Sequence, residues 1–142
     1  MLRSLIISLC AFFCLHTVAV AEITAADKKQ IDQKVSTFFT HFNSGDLEVM
    51  YKDVFMPAIH DNPNLLKNLI NQTKSIYEYY QSPIKWSLVE ENTEGSVLVY
   101  RNYIMHNDRG ASRIRFVYQK MSQGWYLHSL LFSDITVVDA ED

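Results

Sequence analysis

Cysteine is nearly missing. The chain has two, Cys10 and Cys14, both in its first stretch. Small exported domains often lean on disulfides because their cores are small. Beyond residue 14 this chain has no such option, so it must bury a full apolar core. Glycine is scarce too, with only four residues. No Gly-rich phosphate loop is present, and no G-x-S-x-G. Lys and Arg number 13 against 16 Asp and Glu, a net charge of −3. That balance argues against nucleic acid, whose binding rests on Lys and Arg meeting phosphates. Beyond the N-terminus no apolar run approaches the roughly 20 residues of a membrane span. Internal repeats, low-complexity tracts and linkers are lacking as well.

What is present begins with a leader. "MLRSLIISLCAFFCLHTVAVA" has Arg3, an apolar run from Leu5 to Leu15, and Ala19-Val20-Ala21 at its close. A basic start, a short apolar stretch and an A-x-A site describe a secretory signal peptide. Leu9 before Cys10 is too large for a lipoprotein signal. Cleavage after Ala21 is expected, giving signal peptide 1–21 and a single domain 22–142. The localisation expected is exported, periplasmic or secreted. The material for a core is at hand: 48% of the chain is apolar and 13% aromatic.

"FFTHFNSGDLEVMYKDVF" shows how the domain starts. Ile31, Val35, Phe38, Phe39 and Phe42 share one helical face. Thr24 with Asp27 resembles a capping box, so a helix is expected from about Ala25 to Asn43. Gly45 sits where a left-handed helix end belongs, and Asp46 is placed to cap the next helix through its carboxylate. Leu47, Met50, Tyr51, Val54 and Phe55 repeat the helical spacing until Pro57. A third helix is expected from Pro63, capped by Asp61 or Asn62. Leu65, Leu66, Leu69, Ile70, Ile76, Tyr77 and Tyr80 form its apolar stripe, and Ser82-Pro83 ends it.

The period then changes from 3.6 to 2. "IKWSLVEEN", "VLVYRNYIMH", "SRIRFVYQKM" and "WYLHSLLFSDITVV" read as four strands joined by short turns, hence antiparallel. In the third, Ile114, Phe116 and Tyr118 oppose Arg113, Arg115 and Gln119. In the fourth, strict alternation puts Trp125, Leu127 and Leu131 on one face and Tyr126, His128, Leu130 and Phe132 on the other. Both sets are apolar, which implies a sheet covered on both faces. Three helices cover one face, so a second copy is expected on the other, a homodimer split by Leu130→Asp or Leu131→Asp.

Three helices followed by a curved four-stranded antiparallel sheet make an α+β domain. With "FNSGDLEVMY", the late hairpins "VLVYRNYIMH…RIRFVYQKMSQGWYLHSL" and the "GW" that opens the last strand, the chain resembles the nuclear transport factor 2-like superfamily. That group includes ketosteroid isomerase and the polyketide cyclase SnoaL. More closely, it looks like small exported bacterial members of unassigned function. The resemblance implies a cone closed by helices around a cavity, with members often dimerising through the sheet. It fixes no activity, because the superfamily hosts enzymes, binding modules and assembly parts.

Chemistry-bearing residues are few. His41, His60, His106 and His128 lack metal-site spacing, and His60-Asp61 reads as a loop pair before the third helix. Neither a metal nor a cofactor is expected. An isomerase-like site needs a buried carboxylate base and a phenol or protonated acid as oxyanion donor. Glu90, Glu91 and Glu94 flank a turn, while Asp134, Asp139, Glu141 and Asp142 lie on or near the tail. Asp53 reads as a solvated helix-face residue, so no catalytic residue is assigned. Arg101 and Arg115 read as sheet-surface residues. Tyr51, Tyr77, Tyr80, Trp86, Tyr103, Phe116 and Tyr118 remain as candidates for a ligand cavity in the cone, with plain core filling as the simpler account. The functional expectation is an exported, non-enzymatic binding or interaction module. Its partners would be a second copy, a small apolar ligand or another exported protein. A SnoaL-like or isomerase-like enzyme acting on a small apolar substrate is the alternative.

Overall fold

Thr24 starts the first helix in the computed structural model, which describes residues 22–81 and 83–134. The expected leader and the stretch from Ile135 to Asp142 lie outside the described residues. Thr24 Oγ1 accepts from the Asp27 backbone N–H at 3.1 Å, and the Asp27 carboxylate accepts from the Thr24 N–H at 3.1 Å. This is a capping box with Asp in the role of Glu. Helix α1 runs Ala25–Ser44 and buries the expected face: Ile31, Val35, Phe38, Phe39 and Phe42.

Each residue of "NSGD" has a structural task. The Asn43 side chain pairs with the Ile84 backbone in both senses, at 2.9 and 3.2 Å, tying the end of α1 to the start of the sheet. Ser44 Oγ donates to the His41 carbonyl at 3.0 Å. Gly45 takes φ 78. Its N–H reaches Phe42 O at 3.2 Å while Asp46 N–H reaches His41 O at 3.0 Å, a Schellman ending. Asp46 does not cap the next helix through its side chain. Its carboxylate accepts from Ser44 Oγ at 2.9 Å instead, the local competition typical of Asp in turns.

A Cβ at Gly45 would lie 2.9 Å from Tyr77 Oη. Gly45→Ala therefore combines a left-handed backbone with a clash, and is expected to cost about 1–2 kcal/mol in urea denaturation. An unchanged midpoint would show that Gly45 is not held in this conformation.

Helix α2 (Leu47–Val54) is followed by a 3₁₀ turn at Pro57–Ile59. Between them Phe55 forms a single parallel bridge with Leu127. Helix α3 (Pro63–Tyr80) starts with Asn62 Oδ1 accepting from Leu65 N–H at 3.1 Å. It ends before Ser82-Pro83, because Gln81 turns left-handed with φ 50. The stripe expected on α3 is only partly covered. Thr73 and Tyr80 are buried, whereas Leu65 is 43% exposed and Leu69, Ile70, Ile76 and Tyr77 are half-buried.

Strands β1 (Lys85–Glu94), β2 (Leu98–Asn107), β3 (Gly110–Met121) and β4 (Gly124–Asp134) form one antiparallel sheet in that order. The inner face carries Val99, Arg101, Tyr103 and Met105 from β2, Ile114, Phe116 and Tyr118 from β3, and Trp125 and Leu127 from β4.

Strict alternation fails in β4. Val117 pairs with Ser129 but Tyr118 pairs with Leu127, so His128 is an extra residue. A bulge reverses the parity beyond it. Leu130 and Phe132 therefore join Trp125 and Leu127 on the core face, and Leu131 points outward at 60% exposure. The two apolar sets expected on opposite faces are mostly one set. A second bulge, at Val89 of β1, separates Leu88↔Tyr103 from Glu90↔Asn102. Trp86 and Leu88 share the inner side with their partners, yet are 38% and 48% exposed because β1 is an edge strand.

Candidate functional site

The seven aromatic candidates do not enclose an empty cone. Phe39 stacks on Trp86 with ring centroids 4.4 Å apart, and Phe116 lies 4.8 to 5.9 Å from Phe38, Phe39, Tyr103 and Tyr118. Tyr51, Tyr80, Tyr103, Phe116 and Tyr118 are buried in this cluster, Tyr77 is half-buried against Phe42, and Trp86 sits at its margin. These rings fill the space that a ligand would need.

Their hydroxyls face different surroundings. Tyr51 Oη lies 2.6 Å from Thr73 Oγ1, and Tyr80 Oη lies 2.5 Å from Ser112 Oγ. Tyr103 Oη accepts from Arg101 at 3.3 Å. Tyr118 Oη is buried with no hydrogen-bond partner. Burial pushes the Tyr51, Tyr103 and Tyr118 phenols up, Tyr118 furthest. All three therefore stay protonated.

Arg101 is not a sheet-surface residue. Its parity with Val99, Tyr103 and Met105 turns it inward, where it is 4% exposed. Its guanidinium donates to Asp32 Oδ1 of α1 at 2.6 Å and to Glu91 Oε2 of β1 at 2.7 Å. Lys28 reaches the other Glu91 oxygen at 3.2 Å. Burial opposes the charge on Arg101, but Asp32, Tyr103 and Glu91 outweigh it and raise its pKa. Burial also pushes Glu91 up, yet Lys28 and Arg101 hold it below the usual carboxylate range. A carboxylate held ionised by two cations is a poor proton acceptor, so this cluster is not the base-and-phenol pair of an isomerase.

A second tie lies beside it. Asp27 accepts from Trp125 Nε1 at 2.8 Å and from Lys120 Nζ at 2.9 Å. The indole N–H, then Lys120 and Thr24, hold its carboxyl far below the ordinary value. Both ties escaped the sequence reading, although alternation in "VLVYRNYIMH" was the signal for Arg101. On the outer face Arg115 is exposed, as expected, and donates to Asn102 at 2.9 Å. Asp53 is exposed and lies 3.2 Å from His41. Among the described residues no group of His, Cys, Asp and Glu has the proximity to hold a metal, and no helix is long and apolar enough to cross a membrane.

Open space lies instead along the seam between α3 and β4. A cavity of about 360 Å³ is bounded by Phe55, Met56, Ile59, Leu65, Leu69, His128 and Leu130. One of about 220 Å³ follows, between Leu69, Gln72, Thr73 and Ile76 on one side and Leu130, Leu131 and Phe132 on the other. A third, of about 480 Å³, is lined by Ser75, Ile76, Tyr79, Tyr80, Ser112, Phe132 and Ser133. Of the seven candidates, only Tyr51 and Tyr80 border any of them.

No family model matches the chain, and no curated protein matches it by sequence. Solved structures do resemble it. A domain of unknown function with a cystatin-like fold from Nostoc punctiforme superposes with TM-score 0.61 at 12% identity, over 81% of each chain. Another cystatin-like protein of unknown function from that organism gives 0.56 at 11% identity, over 79% of this chain and 93% of the other. An NTF2-like protein of unknown function from Pseudomonas putida gives 0.54 at 10% identity, over 85% and 95%. At such identities the likeness concerns architecture, and by that measure the chain has the cystatin-like, NTF2-like α+β fold.

Proposed function

We propose that the protein is an exported, non-enzymatic interaction module that works as a homodimer through the outer face of its sheet. The observation carrying this reading is the charge pattern of that face. By register, Glu90 and Glu94 of β1 point outward on one side, and Arg113 and Arg115 of β3 on the other. Between and beside them lie Tyr100, Ile104, Val117 and Leu131. A twofold axis along the strands reverses their left-to-right order. Strand β1 of one copy then lies opposite β4 of the other, with Leu131 beneath it and the β3 arginines one strand in from the partner's acids, within reach of their long side chains. The filled cone supports a role at this surface rather than chemistry within.

Light scattering at tens of micromolar tests the dimer. The unaltered protein should run as twice the chain mass, and Leu131→Asp should halve that mass with its circular dichroism unchanged. A monomeric unaltered protein ends the proposal. Leu130→Asp is not an equivalent probe, because the bulge turns Leu130 inward and a charge there should unfold the domain. Export is read separately: mass spectrometry of the protein recovered outside the cytoplasm should give Glu22 as its N-terminus. An intact Met1 to Ala21 on that material refutes the leader assignment.

A further inference from the structure

The three cavities follow one another between α3 and β4, and their shared walls define a trough. Leu69 and Leu130 border both the first and the second, and Ile76 and Phe132 border both the second and the third. From Leu65 to Tyr80 the helical side spans about 22 Å at 1.5 Å per residue.

Two properties narrow what fits. First, among the described residues no Lys, Arg, Asp or Glu lines the trough, although 20% of the chain is charged. Second, its polarity is graded. The end near Met56 is walled by Phe55, Ile59, Leu65 and Leu69. The end near Tyr79 has the hydroxyls of Ser75, Ser112 and Ser133. Ser75 Oγ already donates to Asn71 O and Tyr79 Oη to Arg109 O, both at 3.3 Å. A hydroxyl that has placed its hydrogen still offers lone pairs. Ser75 and Tyr79 therefore offer acceptors at this end, and a head group bearing donors satisfies them.

We propose that the trough binds an uncharged single-chain amphiphile, its alkyl chain toward Met56 and a hydroxyl-bearing head at Tyr79. An alkyl chain matches the apolar walls, and a neutral alcohol head matches the uncharged described lining and the lone pairs of Ser75 and Tyr79. A carboxylate head has no hydrogen to give Ser75 or Tyr79, and among the described residues no Lys or Arg lines the trough to meet its charge. Arg109 stands outside it, with its guanidinium on the Tyr79 carbonyl at 3.3 Å. This proposal goes beyond the dimer and does not depend on it, since the trough is read from ligand uptake and the dimer from mass. Leu131 borders both surfaces and is left unaltered here.

Calorimetric titration of the purified protein, with each probe below its micelle-forming concentration, tests this. Monolauroyl glycerol should saturate at one per chain, and laurate should bind about tenfold or more weakly. A neutral peptide of alternating valine and threonine, the other occupant that an edge strand invites, should not bind. Leu65→Glu is safe for folding because Leu65 is 43% exposed on the first turn of α3. Leu69→Trp fills the junction of two cavities. Each should weaken the glycerol ester about tenfold or more while circular dichroism stays unchanged. Laurate binding as tightly as the ester, saturation by the peptide, or ester binding untouched in both folded variants would each overturn the proposal.

Discussion

The double variant Asp32→Ala/Glu91→Ala is expected to lose about 3–5 kcal/mol of stability, while Arg101→Met loses about 1 kcal/mol or less. The asymmetry follows from where the charges sit. The Arg101 side chain is 5% exposed, whereas Asp32 is 65% and Glu91 22% exposed. Deleting both acids strands a guanidinium with little access to water and only the Tyr103 hydroxyl to receive it. Deleting the base leaves Asp32 free to hydrate and Glu91 still paired with Lys28. Methionine keeps most of the arginine stem's volume against Phe116 and Tyr103, so packing changes little. Urea denaturation at neutral pH measures both. Equal losses from the two variants would mean that the acids, not the guanidinium, need the pairing, and that Arg101 is wetter than its burial indicates.

Phe42→Ala is expected to cost about 3–5 kcal/mol, the usual range for truncating a buried phenylalanine. The ring is 1% exposed and touches three elements. It stacks on Phe38 within α1 at 6.0 Å, meets Tyr77 of α3 edge-on at 5.9 Å and approaches Phe132 of β4 at 6.5 Å. These neighbours are held by separate backbones, so collapse into the void is limited. A loss below about 1 kcal/mol in denaturation would show that α3 closes over the gap. The comparison with a domain of this size is severe, since total stabilities run about 5–15 kcal/mol.

The helices and strands were legible in the sequence because their signals are local. The spacing of Ile31, Val35, Phe38 and Phe42, the Thr24–Asp27 box and Gly45 each act within one helix or turn. The face of Leu130 was not legible. A bulge is set by the pairing of two strands, and nothing within "WYLHSLLFSD" marks His128 as the extra residue. Arg101 was half legible. Its parity was visible, but a buried arginine is rare and reads as a surface residue until Asp32, sixty-nine positions earlier in the chain, and Glu91 are seen to pair with it. The trough was hidden for a similar reason. The stripe on α3 reads as core until the helix is seen to leave Leu65 and Leu69 short of the sheet.

The bond between Asp27 and Trp125 also sets an order of events in folding. Its partners stand ninety-eight positions apart. Closing so long a loop costs entropy that only the finished core returns. The first turn of α1 therefore gains its indole partner only when the last strand exists, after Lys28 has met Glu91 of β1 and Asp27 has met Lys120 of β3. A chain emerging N-terminus first can lay α1 against α3 and β1 early, through Phe42 on Tyr77 and Phe39 on Trp86, but Phe116 and Trp125 complete its seat only when β3 and β4 exist. Such a chain can begin to collapse during synthesis but locks its N-terminal turn in place only when the whole domain has emerged.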